Sequence, residues 1–233
     1  MLGLMCGRYT NTAGVEELND RFNVPISDEA GTRRFNIAPT EEVLAIVAPD
    51  GQRQARLLRW GLIPWWAKDR KGASKMINAR VETVASKAAF RELIQTASHR
   101  ALQLADGYFE WLKPERKSEP RQPFFFRVDG GAPFAFAALW TQARIDGEHV
   151  ESVTMLTCDS APNRVAAPIH NRMPVILADS DAQRAWLDPS LGTEDVLELC
   201  RALPESRLSA RAANPAVNKP GANEGPELLE APR

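Results

Sequence analysis

Short apolar runs rich in β-branched and aromatic residues recur along this chain, and they constrain its fold more than any other feature. Such runs, separated by turn-forming residues, predict β-strands. They cover residues 43–48, 57–62, 101–112, 123–128, 134–140, 153–158 and 173–177. Helical patterns are fewer and cover residues 15–22, 86–97, 180–187 and 193–203. No strand–helix alternation with a glycine-rich phosphate turn is present. The sequence therefore predicts an α+β fold dominated by antiparallel strands, with a few peripheral helices.

The organisation of the chain indicates one domain over residues 1–233. A length of 233 residues with 44% hydrophobic residues is enough for one large core. No linker and no internal repeat divides it. Residues 113–122 form a polar, proline-bracketed stretch that predicts an exposed loop between two antiparallel strands. Residues 214–233 are rich in Pro, Gly, Asn and Glu, which predicts an irregular C-terminal tail.

Composition excludes several classes of protein. No run approaches the roughly 18 apolar residues of a membrane span, and residues 1–5 lack the charged start of a secretory signal. We therefore expect a cytoplasmic protein, associated with the nucleoid if bacterial. The three cysteines are widely spaced without a CxxC pair, which argues against disulfides and a zinc site. We expect no metal, no cofactor and a monomer.

The charge is nearly balanced overall but uneven along the chain. Eight basic residues and one acid, Asp69, lie between Arg53 and Arg80. The same stretch contains Trp60, Trp65 and Trp66. Cations interleaved with aromatic rings suit single-stranded nucleic acid, which requires phosphate neutralisation and base stacking. The alternative is a solvated basic loop beside core tryptophans.

Cys6 is a candidate nucleophile. If the residues before it are removed, Cys6 carries an α-amine with a pKa of about 7.7 to 8.0 and a thiol with a pKa near 8.5. The amine can form an imine with an aldehyde, and the thiol can then close a five-membered thiazolidine. The alternative is a buried structural cysteine near the start of a strand.

Three further polar residues are candidates for the chemistry. Strand alternation places Glu110 on a largely apolar face, where burial would raise its carboxyl pKa toward neutrality. His170 lies in a short loop fixed by Pro168 and Pro174, and imidazole suits general acid or base work. Asn78 is polar at the start of an otherwise apolar segment, where it could orient a nucleophile or cap a turn.

Seven ordered motifs together resemble the SRAP family, the SOS-response-associated peptidase-like proteins. They are Cys6-Gly7-Arg8-Tyr9, residues 36–40, 60–66, 78–83 and 107–111, Pro123-Phe124-Phe125, and residues 169–174. The resemblance continues into residues 217–219 and 225–228. It implies a compact β-rich fold and a role in DNA repair: covalent capture of abasic sites in single-stranded DNA through an N-terminal cysteine, which shields the lesion.

The resemblance also implies roles for individual residues. Cys6 is similar to the nucleophile and Asn78 to the residue that holds it. Glu110 resembles the proton-transfer residue, and His170 the residue that aids sugar-ring opening and crosslink reversal. The expected DNA contacts are Arg8, Arg80 and Arg172 with phosphates, Trp65, Trp66 and Trp111 near bases, and Pro39 in the pocket wall.

Thiazolidine chemistry requires the bond between Met5 and Cys6 to be absent from the mature protein. Translation could begin at Met5, or residues 1–5 could be released by the autoproteolysis that the family name describes. Two other functions are open on the sequence alone: a cysteine peptidase acting on other proteins, with Cys6, His170 and Asn78, and a non-catalytic single-stranded DNA-binding module.

Overall fold

Thirteen strands and five α-helices form the regular structure of the described residues. The computed structural model describes residues 7–114, 116, 120–219, 221 and 224–232. The helices are α1 (Val15–Phe22), α2 (Val81–Val84), α3 (Arg91–Gln95), α4 (Ser180–Leu187) and α5 (Thr193–Glu198). The strands are β1 (Arg8–Asn11), β2 (Arg34–Ile37), β3 (Glu42–Val47), β4 (Gln54–Trp60), β5 (Asn78–Arg80), β6 (Arg100–Ala105), β7 (Gly107–Leu112), β8 (Gln122–Val128), β9 (Phe134–Ile145), β10 (Glu148–Asp159), β11 (Arg172–Pro174), β12 (Ile176–Leu177) and β13 (Leu208–Ala212).

Five of these strands close into a small barrel. They pair in the order β10-β4-β3-β6-β9, and β9 pairs in turn with β10. The ladders are antiparallel, except that β10 runs parallel to β4 and to β5. Closure removes the free sheet edges of these strands. Ile46, Leu102 and Leu139 are among the apolar side chains of these strands that are fully buried.

A second sheet packs beside the barrel in the order β13-β8-β7-β1-β2. Tyr9 of β1 links the two layers, because its ring meets Trp60 at 5.3 Å and Phe136 at 5.6 Å, both edge to face. Edge-to-face pairs at this separation are favourable beyond the area they bury. Because β1 also pairs with β7 on one side and β2 on the other, the start of the described chain is fixed against the core.

The single strand predicted over residues 101–112 is wrong, because the chain turns between β6 and β7 and changes sheet. Asp106 lies at the corner and accepts hydrogen bonds from the Thr10 hydroxyl (2.5 Å) and the Thr12 N–H (2.6 Å). Gly107 follows, and a Cβ there would lie 2.3 Å from the Phe125 ring. The corner therefore depends on the Asp106 carboxylate, which binds the end of β1, and on the absence of a side chain at Gly107.

The other sequence predictions vary in accuracy. The helices over residues 15–22 and 180–187 are confirmed as α1 and α4. The helix predicted over 86–97 is shorter: only Arg91–Gln95 is α-helical, and turns precede it. The helix predicted over 193–203 ends at Glu198, where the following N–H groups form shorter-range turn hydrogen bonds. The prediction of a β-rich α+β fold is confirmed.

The C-terminal strap, whose described residues are 214–219, 221 and 224–232, packs on the second sheet through two 3₁₀ turns, Pro215–Asn218 and Pro226–Leu229. Val217, Leu228 and Leu229 are buried in a cluster with Phe109 and Phe125. The region for which the sequence predicts an irregular tail thus contributes to a second apolar cluster. Among the described helices, none has the length and apolarity needed to cross a bilayer.

Candidate active site

The side chains of strand β7 point alternately into the main core and into the apolar cluster under the C-terminal strap. Tyr108 and Glu110 alternate with Phe109 and Trp111 along the strand. The Glu110 side chain is 3% exposed and Tyr108 is 1% exposed. Tyr108 belongs to the main core, where it stacks on Phe126 at 4.6 Å, whereas Phe109 and Trp111 pack in the strap cluster. The expected burial of Glu110 is confirmed, and one of its carboxylate oxygens accepts from the Trp111 N–H at 3.1 Å.

Strand β1 places the residue after Cys6 beside β7. Arg8 is opposite Phe109, and Tyr9 is opposite Tyr108. Gly7 precedes β1 directly, and its carbonyl accepts from Nη1 of Arg8 at 2.6 Å. Cys6 itself lies outside the described residues.

A cavity of about 430 Å³ opens where β1, β7 and the strap meet. The rings of Pro39, Trp111 and Pro120 and the polar residues Arg8, Arg121 and Asn218 line it together with Gly7. The sequence predicted Arg8, Pro39 and Trp111 as site residues but missed the other three polar or ring-bearing positions. Pro120 and Arg121 belong to the loop that was predicted only as an exposed connection. The sequence feature that could have identified them is the pair of prolines at the end of the loop, Pro120 and Pro123, because proline restricts the backbone there.

Arg8 presents a partly desolvated cation to this cavity. Burial lowers the pKa of its guanidinium, and the nearby charge of Glu41 partly offsets this effect. Its Nε is buried and makes no hydrogen bond within the described part of the chain. A desolvated guanidinium with an unused donor binds anions such as phosphate strongly.

Strand β10 brings together candidates that are far apart in sequence. Thr157 pairs with Arg80 of β5 on one side and with Pro174 of β11 on the other. Asn78 is opposite Met155, and Arg172 is opposite Asp159. The motifs around residues 78–80 and 170–172 therefore flank one strand.

Arg172 is held by an ion pair. Its guanidinium donates to both oxygens of Glu82, at 2.6 and 2.9 Å, and to the carbonyl of Thr157 at 2.5 Å. The hydrogen bond from Arg172 holds the pKa of the Glu82 carboxyl below its usual value, and burial opposes it weakly. The Arg172 side chain is only 10% exposed, whereas Arg80 is exposed. The exposed Arg80 guanidinium is therefore accessible to a phosphate, whereas the Arg172 guanidinium is already bonded to Glu82 and Thr157.

The His170 loop is ordered by hydrogen bonds. The Ser160 hydroxyl donates to the His170 carbonyl at 2.6 Å, and the His170 N–H donates to the Ala166 carbonyl at 3.1 Å. Nδ1 of the ring lies 3.1 Å from the Arg172 N–H, which donates to it. Nδ1 also lies 3.3 Å from the Arg172 carbonyl oxygen, so the neutral ring has its proton on Nε2 in the tautomer that accepts from the N–H and on Nδ1 in the tautomer that donates to the carbonyl.

The basic stretch divides into two parts in the structure. On β4, Arg56 pairs with Glu151 at 2.6 Å and lies over the Trp140 ring, so this arginine is occupied within the fold. In the loop after β4, Trp65 and Trp66 are 60% and 46% exposed and meet edge to face at 5.4 Å. Four exposed basic residues share this loop: Lys68, Arg70, Lys71 and Lys75. Trp60 is a core residue, as the alternative interpretation of the stretch held.

Backbone contacts hold this loop against the barrel. The Trp60 indole donates to the Ile77 carbonyl at 3.0 Å, and the Leu62 N–H donates to the Met76 carbonyl at 3.0 Å. Gly61 has a φ of +124°, and a Cβ there would lie 2.7 Å from the Ala73 carbonyl oxygen. The exposed tryptophans therefore project from a loop with fixed ends. No group of three or more potential metal ligands occurs among the residues whose placement is described.

A family model for the SOS response associated peptidases (SRAP) matches residues 5–220. The chain belongs to the SRAP family. Over 231 residues it is 36% identical to the abasic site processing protein YoaM of Bacillus subtilis, covering 97% of this chain and 98% of that protein. It is 29% identical to the abasic site processing protein YedK of Escherichia coli, covering 97% and 99% of the two chains.

Solved structures agree with this fold. A protein from Bordetella bronchiseptica superposes with a TM-score of 0.73 at 27% identity, covering 90% of this chain and 100% of that one. A protein from Bacteroides thetaiotaomicron superposes with a TM-score of 0.81 at 20% identity, covering 98% and 100%, which supports the fold alone.

The predicted site residues of this SRAP chain fall into two groups. The pocket wall comprises β1, β7 and the turn after β2: Arg8, Pro39 and Trp111 line the cavity, and Glu110 lies on β7 with its side chain on the face opposite to Trp111. The β10 wall comprises β5, β10, β11 and the loop before β11, and it carries Asn78, Arg80, His170 and Arg172. Trp65 and Trp66 belong to neither wall, because they lie in the loop after β4.

Proposed function

We propose that this SRAP chain processes abasic sites in single-stranded DNA by forming a covalent thiazolidine crosslink through Cys6. The observation that carries the proposal is the cavity beside Gly7, the residue that follows Cys6. Ring-bearing residues and two arginines line it. The family membership and the names of the relatives point to the same lesion.

The chemistry begins with the ring-opened aldehyde of the abasic sugar. The Cys6 α-amine adds to the aldehyde carbon, and loss of water gives an imine. The thiol then adds to the imine carbon, and its proton passes to the nitrogen, which closes the thiazolidine. No redox partner is needed. Both additions require proton transfers at the amine and the sugar oxygen.

The two walls would divide these proton transfers. Glu110 is a buried carboxyl group that follows Phe109, the partner of Arg8 in the β1–β7 ladder, so it is suited to exchange a proton at the amine. In the tautomer in which Nδ1 of His170 accepts from the Arg172 N–H, Nε2 carries the proton and would donate it to the sugar oxygen during ring opening. Asn78, on the strand that pairs with β10, would hold Cys6 through its amide.

DNA would be bound by groups on both walls and on the tryptophan loop. Arg8 lines the cavity and has an Nε that is unpaired within the described residues, and Arg80 is exposed, so both arginines can contact phosphates. Trp65 and Trp66 are exposed rings on which bases can stack. Base–aromatic stacking contributes about 1–3 kcal/mol per base. The ion pair with Glu82 assigns Arg172 the role of positioning the β10 wall, in addition to any phosphate contact.

The proposal also requires a free α-amine on Cys6. We propose that residues 1–5 are absent from the mature protein, either because translation starts at Met5 and an aminopeptidase removes that methionine, or because self-cleavage of the Met5–Cys6 bond releases all five residues. The intact masses of the wild-type protein and the Cys6→Ala variant separate the two routes. Self-cleavage predicts that only the variant retains the five residues, whereas a start at Met5 predicts that neither carries them.

The test is a denaturing gel of the mature protein incubated with a labelled single-stranded oligonucleotide containing one abasic site. We expect a denaturation-resistant adduct, no adduct with Cys6→Ala, and an adduct with Cys158→Ala. Cys158 is the matched control because burial raises the pKa of its thiol to about 11. Failure of the mature protein to form the adduct, or an undiminished adduct with Cys6→Ala, would refute the proposal. Binding without an adduct would support the non-catalytic alternative.

A further inference from the structure

The C-terminal strap is anchored to the sheet that carries the cavity. Val217, Leu228 and Leu229 are buried against Phe109 and Phe125. Polar contacts between the strap and β2 supplement this packing. The Asn36 amide donates to the Val217 carbonyl at 3.3 Å. One oxygen of Glu224 accepts from the N–H groups of residues 35 and 36, at 3.1 and 3.2 Å.

Within this anchored strap, one side chain reaches into the cavity wall. The side-chain Oδ1 of Asn218 accepts from the indole N–H of Trp111 at 2.8 Å, and both residues line the cavity. Asn218 is exposed, directly after buried Val217. Because the Asn218 side chain is exposed, it contributes little to the packing of the fold. Its hydrogen bond to the Trp111 indole links it to the cavity wall.

The bond restricts the orientation of the Trp111 ring. A tryptophan side chain has two rotatable bonds, and packing holds only the part of Trp111 that lies in the strap cluster. Fixing the indole N–H removes the remaining rotation before any ligand binds. Pre-organising a ring in this way reduces the entropy that binding would otherwise cost.

We propose that Asn218 is a positioning residue that holds the Trp111 indole as a stacking surface for an unpaired base of single-stranded DNA. The inference rests on the proposed function, because it takes single-stranded DNA as the ligand. It adds that the strap is part of the binding site. Arg8 and Arg121 line the same cavity and supply cations for the neighbouring phosphates.

A double-mutant cycle tests the coupling. Asn218→Ala, Trp111→Phe and the double variant are compared in the Cys6→Ala background, with an intact oligonucleotide that has no abasic site, by fluorescence anisotropy. We expect Asn218→Ala to weaken binding about fivefold, the effect of losing one hydrogen bond of ordinary strength. Trp111→Phe keeps a ring but loses the donor, so the double variant should bind no more weakly than Trp111→Phe alone.

The matched control is Asn214→Ala, because Asn214 also belongs to the strap but bonds only within it. Its side chain accepts from the Ala216 N–H and donates to the Glu227 carbonyl. We expect Asn214→Ala to lower the melting temperature and to leave DNA affinity within twofold. Asn218→Ala should lower affinity with the melting temperature unchanged.

Three results would overturn the inference. They are unchanged affinity in Asn218→Ala, additive losses in the double variant, which would mean that Asn218 contacts DNA by itself, and a fall in melting temperature that matches the loss of affinity. The adduct assay with abasic DNA is independent of this cycle. A wild-type protein that binds DNA with the predicted coupling but forms no adduct refutes the proposed chemistry and leaves the role of Asn218 intact.

Discussion

The pocket wall and the β10 wall hold their candidate proton-transfer residues by different means. Glu110 lies on a strand between two apolar clusters and is 3% exposed, so packing fixes it. His170 lies in a loop, where hydrogen bonds from Ser160 and Arg172 and the ion pair of Arg172 with Glu82 fix the surrounding backbone. A position held by apolar packing accepts few substitutions, but its geometry is insensitive to pH and salt. A position held by a polar network is lost when any one partner is removed. Substitutions in the two walls should therefore affect activity and stability differently.

The largest effect is expected on the pocket wall, from Glu110→Gln. Glutamine has nearly the same shape, so the packing is retained, but it cannot exchange a proton. We expect the rate of adduct formation to fall roughly 100-fold or more, the usual contribution of a general acid or base. Single-turnover gel kinetics at saturating DNA measure this rate, and DNA affinity should stay within about threefold.

Glu16→Gln is the matched control for this prediction, because Glu16 is an exposed glutamate on α1, a helix that belongs to neither wall. It should leave the rate unchanged. If Glu110→Gln reacts at the wild-type rate, Glu110 does not transfer a proton in the reaction, and the pocket wall has only a structural role.

The contrast between the walls also explains which parts of the molecule the sequence could predict. Helix α1 was predictable because its apolar residues Leu18 and Phe22 recur at helical spacing on one face. The burial of Glu110 followed from strand alternation. These features depend on near neighbours in the chain, and so do most of the strands that form the barrel.

Features that depend on distant partners were not predictable. Strand β1 has the sequence Arg8-Tyr9-Thr10-Asn11, which has no apolar alternation, and it forms because β7 and β2 pair with it. The corner at Asp106 requires Thr10 and Thr12 to donate to it. The ion pair of Arg172 joins residues 90 positions apart. For the same reason the sequence predicted Arg172 only as a DNA contact, without its structural partner.

An intermediate effect is expected on the β10 wall, from Glu82→Gln. The variant leaves the largely buried Arg172 guanidinium without its counter-charge, and the loop that carries His170 loses an anchor. We expect about 1 kcal/mol of destabilisation, since Glu82 is half exposed, and a fall of about 2–4 °C in melting temperature. The adduct rate should fall several-fold, because His170 is less well oriented.

Glu151→Gln, on β10, is the matched control, since it breaks an ion pair with the same Nη1–Oε1 distance of 2.6 Å. Its partner Arg56 lies on β4, away from the His170 loop. A similar loss of stability with an unchanged adduct rate is expected. If both variants slow the reaction equally, the effect is one of general stability and the Glu82–Arg172 pair has no special role in orienting the site.

The smallest effect is the pH dependence of that ion pair. The folded-state pKa of Glu82 is lowered by Arg172, so the pair contributes stability that is present above the ordinary carboxyl pKa of 4.5 and lost as pH falls through the lowered value. The amide that Glu82→Gln introduces does not titrate. The difference in unfolding free energy between the wild-type protein and Glu82→Gln should therefore stay constant from pH 7 to pH 5 and shrink only below pH 4.5. Urea unfolding at a series of pH values measures it. A difference that shrinks already between pH 7 and pH 5 would show that a group other than Glu82 controls the β10 wall, and the pair would then no longer explain how that wall is held.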